Sequence, residues 1–130
     1  MADNQQSREA ASIDDRGLRP PAAYTIRLRD DAPVLVLEGE LDLAAAPELR
    51  RQVDEFRGDA LVLDFKRSTF IDSAVLKELL RARVELAERG VRMVLAAVPA
   101  PVRRLMDLTR TSELFEDAES ADAALTRLNG

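Results

Sequence analysis

Leu61-Val62-Leu63-Asp64 is followed by Asp72-Ser73, and then by Leu76, Leu79, Leu80, Val84 and Ala87 at helical spacing. Gly90 and the run Val91-Arg92-Met93-Val94-Leu95-Ala96-Ala97-Val98 come next. This stretch decides the fold. Short apolar runs with polar borders predict buried strands, the first ending at Asp64. Asp72 or Ser73 supplies an N-cap for the intervening helix, since a short polar side chain can accept from a free backbone N–H. The spaced apolar residues form the helix's inner stripe, Glu85 and Arg89 form an i,i+4 pair on the wet side, and Gly90 closes it. Two strands that are apolar on both faces, joined by a helix, predict parallel neighbours and a crossover.

The same alternation extends both ways. Upstream, Tyr24, Ile26 and Leu28 alternate with Thr25, Arg27 and Arg29, as in a half-exposed strand. Asp30-Asp31-Ala32-Pro33 makes a turn, and Val34-Leu35-Val36-Leu37 makes a buried strand, so these two pair as an antiparallel hairpin. Gly39-Glu40-Leu41-Asp42-Leu43 reads as a loop leaving the strand. Pro47 opens a helix carrying Leu49, Val53 and Phe56, and Gly58 stops it. Downstream, Pro99 and Pro101 start a helix with Val102, Leu105 and Met106 inside. Leu114-Phe115 reads as a short strand, and Ser120 caps a last helix with Ala121, Ala124, Leu125 and Leu128 on one face. The order β-β-α-β-α-β-α-(β)-α predicts an α/β fold. Its sheet is mixed, mostly parallel, of four to five strands with helices packed on it. Residues 1–22 are polar, mixed in charge and unpatterned, and predict a disordered tail before a domain over 23–130.

Composition narrows the chemistry. The 130 residues suit one domain, and 46% apolar with 33% charged residues supplies one core and a charged surface. Nineteen Lys and Arg against twenty-four Asp and Glu leave a net charge of -5, with four Phe, one Tyr and no Trp. That composition offers neither a phosphate-neutralising groove nor a set of stacking aromatics, so no nucleic-acid partner is expected. There is no Cys, which excludes disulfides, thiol catalysis and thiolate-held zinc or iron–sulfur centres. There is no His, which excludes imidazole bases and imidazole metal ligands. No cofactor, no metal and no catalytic set are expected. No apolar run nears the roughly 18 residues that span a bilayer, and Met1–Arg19 lacks the apolar stretch of a secretory signal. The expectation is a cytoplasmic protein without a membrane partner.

The motifs and their order resemble a known family. Leu37-Glu38-Gly39-Glu40-Leu41-Asp42 is similar to the Gly-Glu-Leu-Asp motif of STAS domains, found in anti-sigma factor antagonists and sulfate transporters. Leu61-Val62-Leu63-Asp64-Phe65 with Phe70-Ile71-Asp72-Ser73 and Leu76 resembles the family's second motif, in which a strand runs into a loop and an Asp-Ser-Ser-Gly-Leu-like sequence opens a helix. Val94-Leu95-Ala96 with Val102-Arg103-Arg104-Leu105-Met106 resembles the third strand and its helix, and Leu114-Phe115 the late short strand. The resemblance covers 23–128 and implies an anti-sigma factor antagonist of the partner-switching type. Such a protein binds an anti-sigma factor, usually a Ser/Thr kinase, and is released when the kinase phosphorylates the first turn of the helix. A helix N-terminus tolerates the phosphate, while its charge of roughly -1.5 to -2 disrupts a surface packed against it.

The resemblance places the partner contact on the Gly39–Leu43 loop and the Phe70–Leu76 helix start, at Asp42, Asp72, Ser73, Ala74, Val75 and Leu76, with Lys77 nearby. It also exposes a departure. The phosphoacceptor position is Ala74, which has no hydroxyl, and the following Gly is Val75. Three outcomes stand open: a constitutive antagonist; a switch moved to Ser73, Thr69 or Ser68 in the same loop; or a non-switching STAS scaffold with a different protein partner. Thr109-Arg110 replaces the Gly that many members carry at the helix stop. A homodimer is also compatible with the sequence. A receiver-type reading of Asp64 lacks a Lys beyond Lys77 and finds its acidic pair, Asp30-Asp31, in a turn. An enzymatic reading finds only Ser73 and Lys77 at i,i+4, and Ser73 has a simpler capping role. An enzyme should show a deep concavity with converging polar groups; an interaction module should show a flat, mixed surface around Asp42, Asp72 and Ser73.

Overall fold

The computed structural model describes residues 23–130; the tail expected over 1–22 lies outside them. The order is β1 (Tyr24–Leu28), β2 (Val34–Leu41), α1 (Ala46–Glu55), β3 (Ala60–Ile71), α2 (Ser73–Glu88), β4 (Arg92–Ala96), α3 (Ala100–Leu108), β5 (Glu116–Ala118) and α4 (Ala121–Asn129). Short 3-10 turns lie at Leu43–Ala45 and Ser112–Leu114. The five strands form one sheet in sequence order. β1 and β2 are the antiparallel hairpin, and β2 through β5 are parallel.

Side-chain alternation sorts the core by shape. Leu35, Leu37, Leu61, Leu63 and Leu95 point to one face, where Leu49 and Val53 of α1, Val75 and Leu79 of α2, and Val102 and Met106 of α3 cover them. Val34, Val36, Val62, Val94 and Ala96 point to the other face, where α4 brings Ala124, Leu125 and Leu128. Burial on both faces explains why these strands read as unbroken apolar runs.

The structure corrects the reading of the long strand. β3 does not end at Asp64 but runs to Ile71, and β2 runs through the supposed loop to Leu41. The pairing slips twice: Val36 and Glu38 face Asp64 and Arg67, and Gly39 and Glu40 face Ser68 and Phe70. Each slip inserts one extra residue on β3, the signature of a β-bulge. The inward residues of this half are therefore Phe65, Ser68 and Ile71, three apart rather than two, so a period of two misses the strand.

Smaller corrections share this cause, packing that overrides local pattern. The stripe of α2 is Val75, Leu76, Leu79, Ala82 and Leu86; Val84 and Ala87 face solvent. β4 stops at Ala96, with Ala97 at φ 56 turning the chain before Pro99. Leu114-Phe115 closes a 3-10 turn, and the last strand follows at Glu116–Ala118. Arg110, with φ 60, adopts the left-handed conformation that Gly takes more readily at a helix stop.

Ion pairs fasten β5 and α4 to the sheet. The Glu116 carboxylate accepts from Arg92 at 2.8 Å and from Arg127 at 3.2 Å. These cations, Arg92 foremost, hold its carboxyl below the ordinary 4.5. A carboxyl depressed on folding stabilises above its unfolded value and loses that contribution as pH falls through the folded one. Denaturation midpoints are therefore expected to fall as pH drops below about 4.5, and Glu116→Gln should flatten that slope. An unchanged slope would assign the acid loss to other carboxylates.

Candidate functional site

The parallel strands β2 and β3 end side by side, Leu41 opposite Ile71. The Asp72 N–H donates to the Leu41 carbonyl at 3.2 Å, tying the two exits together. Each strand then delivers an Asp that caps the next turn. Asp42 Oδ1 accepts the Ala44 N–H at 3.0 Å and caps the 3-10 turn. Asp72 Oδ1 accepts the Val75 N–H at 3.0 Å and caps α2. A carboxylate at a helix start satisfies an orphan donor and meets the positive dipole end, about 1 kcal/mol per cap.

Two further residues set this geometry. Tyr24 donates its hydroxyl to the Ala44 carbonyl at 3.2 Å, bracing the 3-10 turn from β1. Burial, then the Glu48 and Asp42 carboxylates, push its phenol above 10.0, so it stays a neutral donor. Gly39, at φ 85, lies at the second register slip, and a Cβ there would sit 2.1 Å from the Ala23 carbonyl oxygen. That carbonyl accepts the Glu40 N–H at 3.1 Å. The Gly-Glu-Leu-Asp sequence thus has a physical reading: Gly lets β1 close onto β2, and Asp caps the 3-10 turn at the end of the strand.

The residues singled out from sequence separate by depth. Ser73 is the first residue of α2 and exposed, and Ala74 is half-buried beside it. Val75 and Leu76 are 1% and 4% exposed, packed in the core rather than presented at the surface. Val75, which the resemblance places at the partner contact, instead begins the inner stripe of α2. Ser68 and Thr69 are not in a loop but in β3; Thr69 is exposed and Ser68 buried. Asp64 accepts the Lys66 N–H within the first bulged stretch.

The Ser68 hydroxyl is buried without a hydrogen-bond partner among the described residues. A buried hydroxyl left unpaired costs roughly 1–3 kcal/mol. Ser68→Ala is therefore expected to raise the unfolding free energy by about 1 kcal/mol in a urea titration. A loss of stability would mean that the hydroxyl is satisfied in solution.

The two segments expected at the contact, Gly39–Leu43 and Phe70–Leu76, each carry an exposed large apolar side chain. Leu43 is 70% exposed and Phe70 47% exposed, both at this end of the sheet. Glu40 and Phe70 oppose each other across β2 and β3, on the face away from Leu41 and Ile71. The exposure of Phe70 follows from its place beside Ile71: in an extended β3, neighbouring residues cannot both face the core. Two clefts of about 350 and 530 Å³ lie elsewhere, one between Asp64 and the start of α4, the other between Pro33, Phe56 and Leu125. Neither is lined by Asp42, Asp72 or Ser73. Among the described residues, no helix is long and apolar enough to cross a membrane.

The family model for "Mlab, STAS domain" matches residues 24–116. The chain belongs to the STAS domain family. The anti-sigma F factor antagonist of Paenibacillus polymyxa is 29% identical over 99 residues, 73% of this chain and 85% of that protein. Among solved structures, an anti-sigma factor antagonist from Mycobacterium paratuberculosis superposes with a TM-score of 0.72 at 27% identity, over 87% of this STAS chain and all of the other. An anti-sigma-factor antagonist (STAS) domain protein from Planctomyces limnophilus gives 0.68 at 16% identity, over 81% and 98% of the two chains; at that identity it speaks for the fold. The mixed five-stranded sheet is therefore the STAS architecture in this chain.

Proposed function

We propose that this STAS domain is an anti-sigma factor antagonist that binds a kinase-type anti-sigma factor, without the usual phospho-switch. The observation that carries the reading is the twin-capped end of the sheet. Asp42 and Asp72 cap two successive turns, and Ser73 and Ala74 open α2 at the end of the sheet that also carries exposed Leu43 and Phe70. A mixed, capped surface whose Asp42, Asp72 and Ser73 line neither of the clefts described above suits a protein partner rather than a small substrate. The Paenibacillus relative, named for antagonism of an anti-sigma factor, supports the choice of partner. Val75 and Leu76 belong to the site as its floor, fixing Ser73 and Ala74 from below.

The acceptor position is Ala74, so a kinase partner finds no hydroxyl there. The permanently uncharged side chain corresponds to the binding-competent state. Ser73 and Thr69 are the exposed hydroxyls near enough to take over the switch; Ser68 would need the sheet to open first. Mass spectrometry of the protein captured from its native host reads partner and modification together. An anti-sigma kinase recovered with phosphate-free chain is the expected result. Phosphate on Ser73 or Thr69 would mean that the switch has moved. Recovery of an unrelated partner alone would overturn the sigma-factor reading and leave a STAS scaffold of another pathway.

A further inference from the structure

We propose that the groove between α2 and α3 is the docking surface for a second copy of this chain, packed across it with the helices antiparallel. The groove lies along the helices, apart from the end of the sheet assigned above to the anti-sigma factor.

An apolar stripe outside the core marks it. Val84, Leu108 and Leu114 are exposed, Leu108 at 77%. Arg83 donates to the Leu114 carbonyl at 2.6 Å, so this side of α2 faces α3 and the turn that follows it. Leu80, Val84 and Ala87 share that side by helical spacing. On α3, Arg103 reaches Asp117 of β5, which turns the opposite side, with Leu105 and Leu108, toward α2. Leu80 and Leu105 pack against the core and form the floor, and Val84 and Leu108 form the walls.

The charges point to what lies across it. The last turn of α2 carries Glu85 and Glu88 and no cation, while Lys77 stands near the start of the helix. α3 repeats the order, with Arg103 and Arg104 early, Asp107 late and no basic residue in its last turn. A helix dipole favours the reverse, so neither helix gains from its own arrangement. Lys77 and Arg104 border one end of the groove, and Glu88, Asp107 and Glu113 outnumber Arg110 at the other. The ion pairs of these helices are made by Arg81 and Arg103, which leaves Lys77, Arg104 and Glu88 without one among the described residues.

Such a surface is complementary to itself. A two-fold axis between Val84 and Leu108 stacks each against the other residue of the second copy, as an isologous interface requires. Lys77 and Glu88 are about 16 Å apart along α2, so the same axis sets Lys77 of each copy beside Glu88 of the other. It also lays each helix against the opposite dipole of its counterpart. A parallel arrangement would instead set like charges together. Ser73 and Ala74 lie beyond Lys77, at opposite ends of the dimer.

Sedimentation equilibrium of the full-length chain, from about 1 μM to 1 mM, is expected to show a monomer–dimer equilibrium. Leu108→Glu, at an exposed position, should leave the thermal midpoint unchanged and weaken association by about 10-fold or more. K77E and E88K should each weaken it, because like charges then meet across the axis. An equimolar mixture of those two variants should associate more tightly than either alone, since every such contact is again between opposite charges. A chain that stays monomeric throughout overturns the proposal. So does association unmoved by Leu108→Glu, which would place the contact elsewhere, or a mixture no tighter than its parts, which would exclude the antiparallel arrangement. A monomeric chain that loses its captured partner on Leu108→Glu would give the groove to that partner instead.

Discussion

Gly39→Ala is expected to lower the unfolding free energy by roughly 2–4 kcal/mol, the largest loss from a single methyl outside the hydrophobic core. Two effects add. The backbone at φ 85 is left-handed, which costs an ordinary residue about 1–2 kcal/mol. The added Cβ also meets the Ala23 carbonyl oxygen at 2.1 Å, so β1 must peel away from β2 and surrender the Glu40 hydrogen bond. Gly90 provides the comparison. Its φ is 75, yet a Cβ there meets nothing within 4 Å. Gly90→Ala should therefore show the conformational cost alone. Urea titrations of both variants separate the two effects, and amide exchange should show β1 opening first in Gly39→Ala. Equal losses at both positions would mean that close strand approach is not what demands glycine at Gly39.

Ala74→Glu is expected to weaken binding of the captured partner by 10- to 100-fold, about 1.4–2.8 kcal/mol, with stability nearly unchanged. The two readouts move differently for a physical reason. The first turn of α2 carries no acidic residue, and a carboxylate there favours the helix dipole by about 0.3–1 kcal/mol. At the interface proposed above, bordered by Asp42 and Asp72, the same carboxylate would add a charge that must be desolvated among like charges. Titration calorimetry against the partner and thermal melts of the variant test the pair of outcomes. Unchanged affinity would place the partner away from the start of α2. Lost affinity together with lost stability would mean that the variant merely disrupts the core beneath it.

Much of the fold was legible because the relevant physics is local. The central strands announce themselves by apolar runs, since burial on both faces leaves no polar position. Asp72 and Ser120 were readable as caps, and their side chains do accept from Val75 and Ala123. The outer half of β3 was not legible. Its bulges depend on pairing with a strand more than twenty residues away, and they replace a period of two with a period of three. The same bulges decide the site. They bury Ser68, present Thr69 and Phe70, and turn a presumed loop into a rigid shelf leading to Asp72. Val75 shows the converse error. Its place in a surface motif suggested exposure, but the rotation of α2 against the sheet is set by Leu79, Ala82 and Leu86 below it.

By itself the sequence determined the layered α/β class, the mixed sheet, the absence of thiol and imidazole chemistry, and the missing hydroxyl at Ala74. Those features rest on side-chain type and short-range periodicity, which need no partner to be read. Only the tertiary structure decided where the strands end, which residues stand at the surface of the site, and why Gly39 is glycine. Each of these depends on what a distant segment places opposite: Ala23 against Gly39, Gly39 against Ser68, and Leu41 against Ile71. The cost of bringing such segments together is met by the whole core, so no local window of sequence contains the answer.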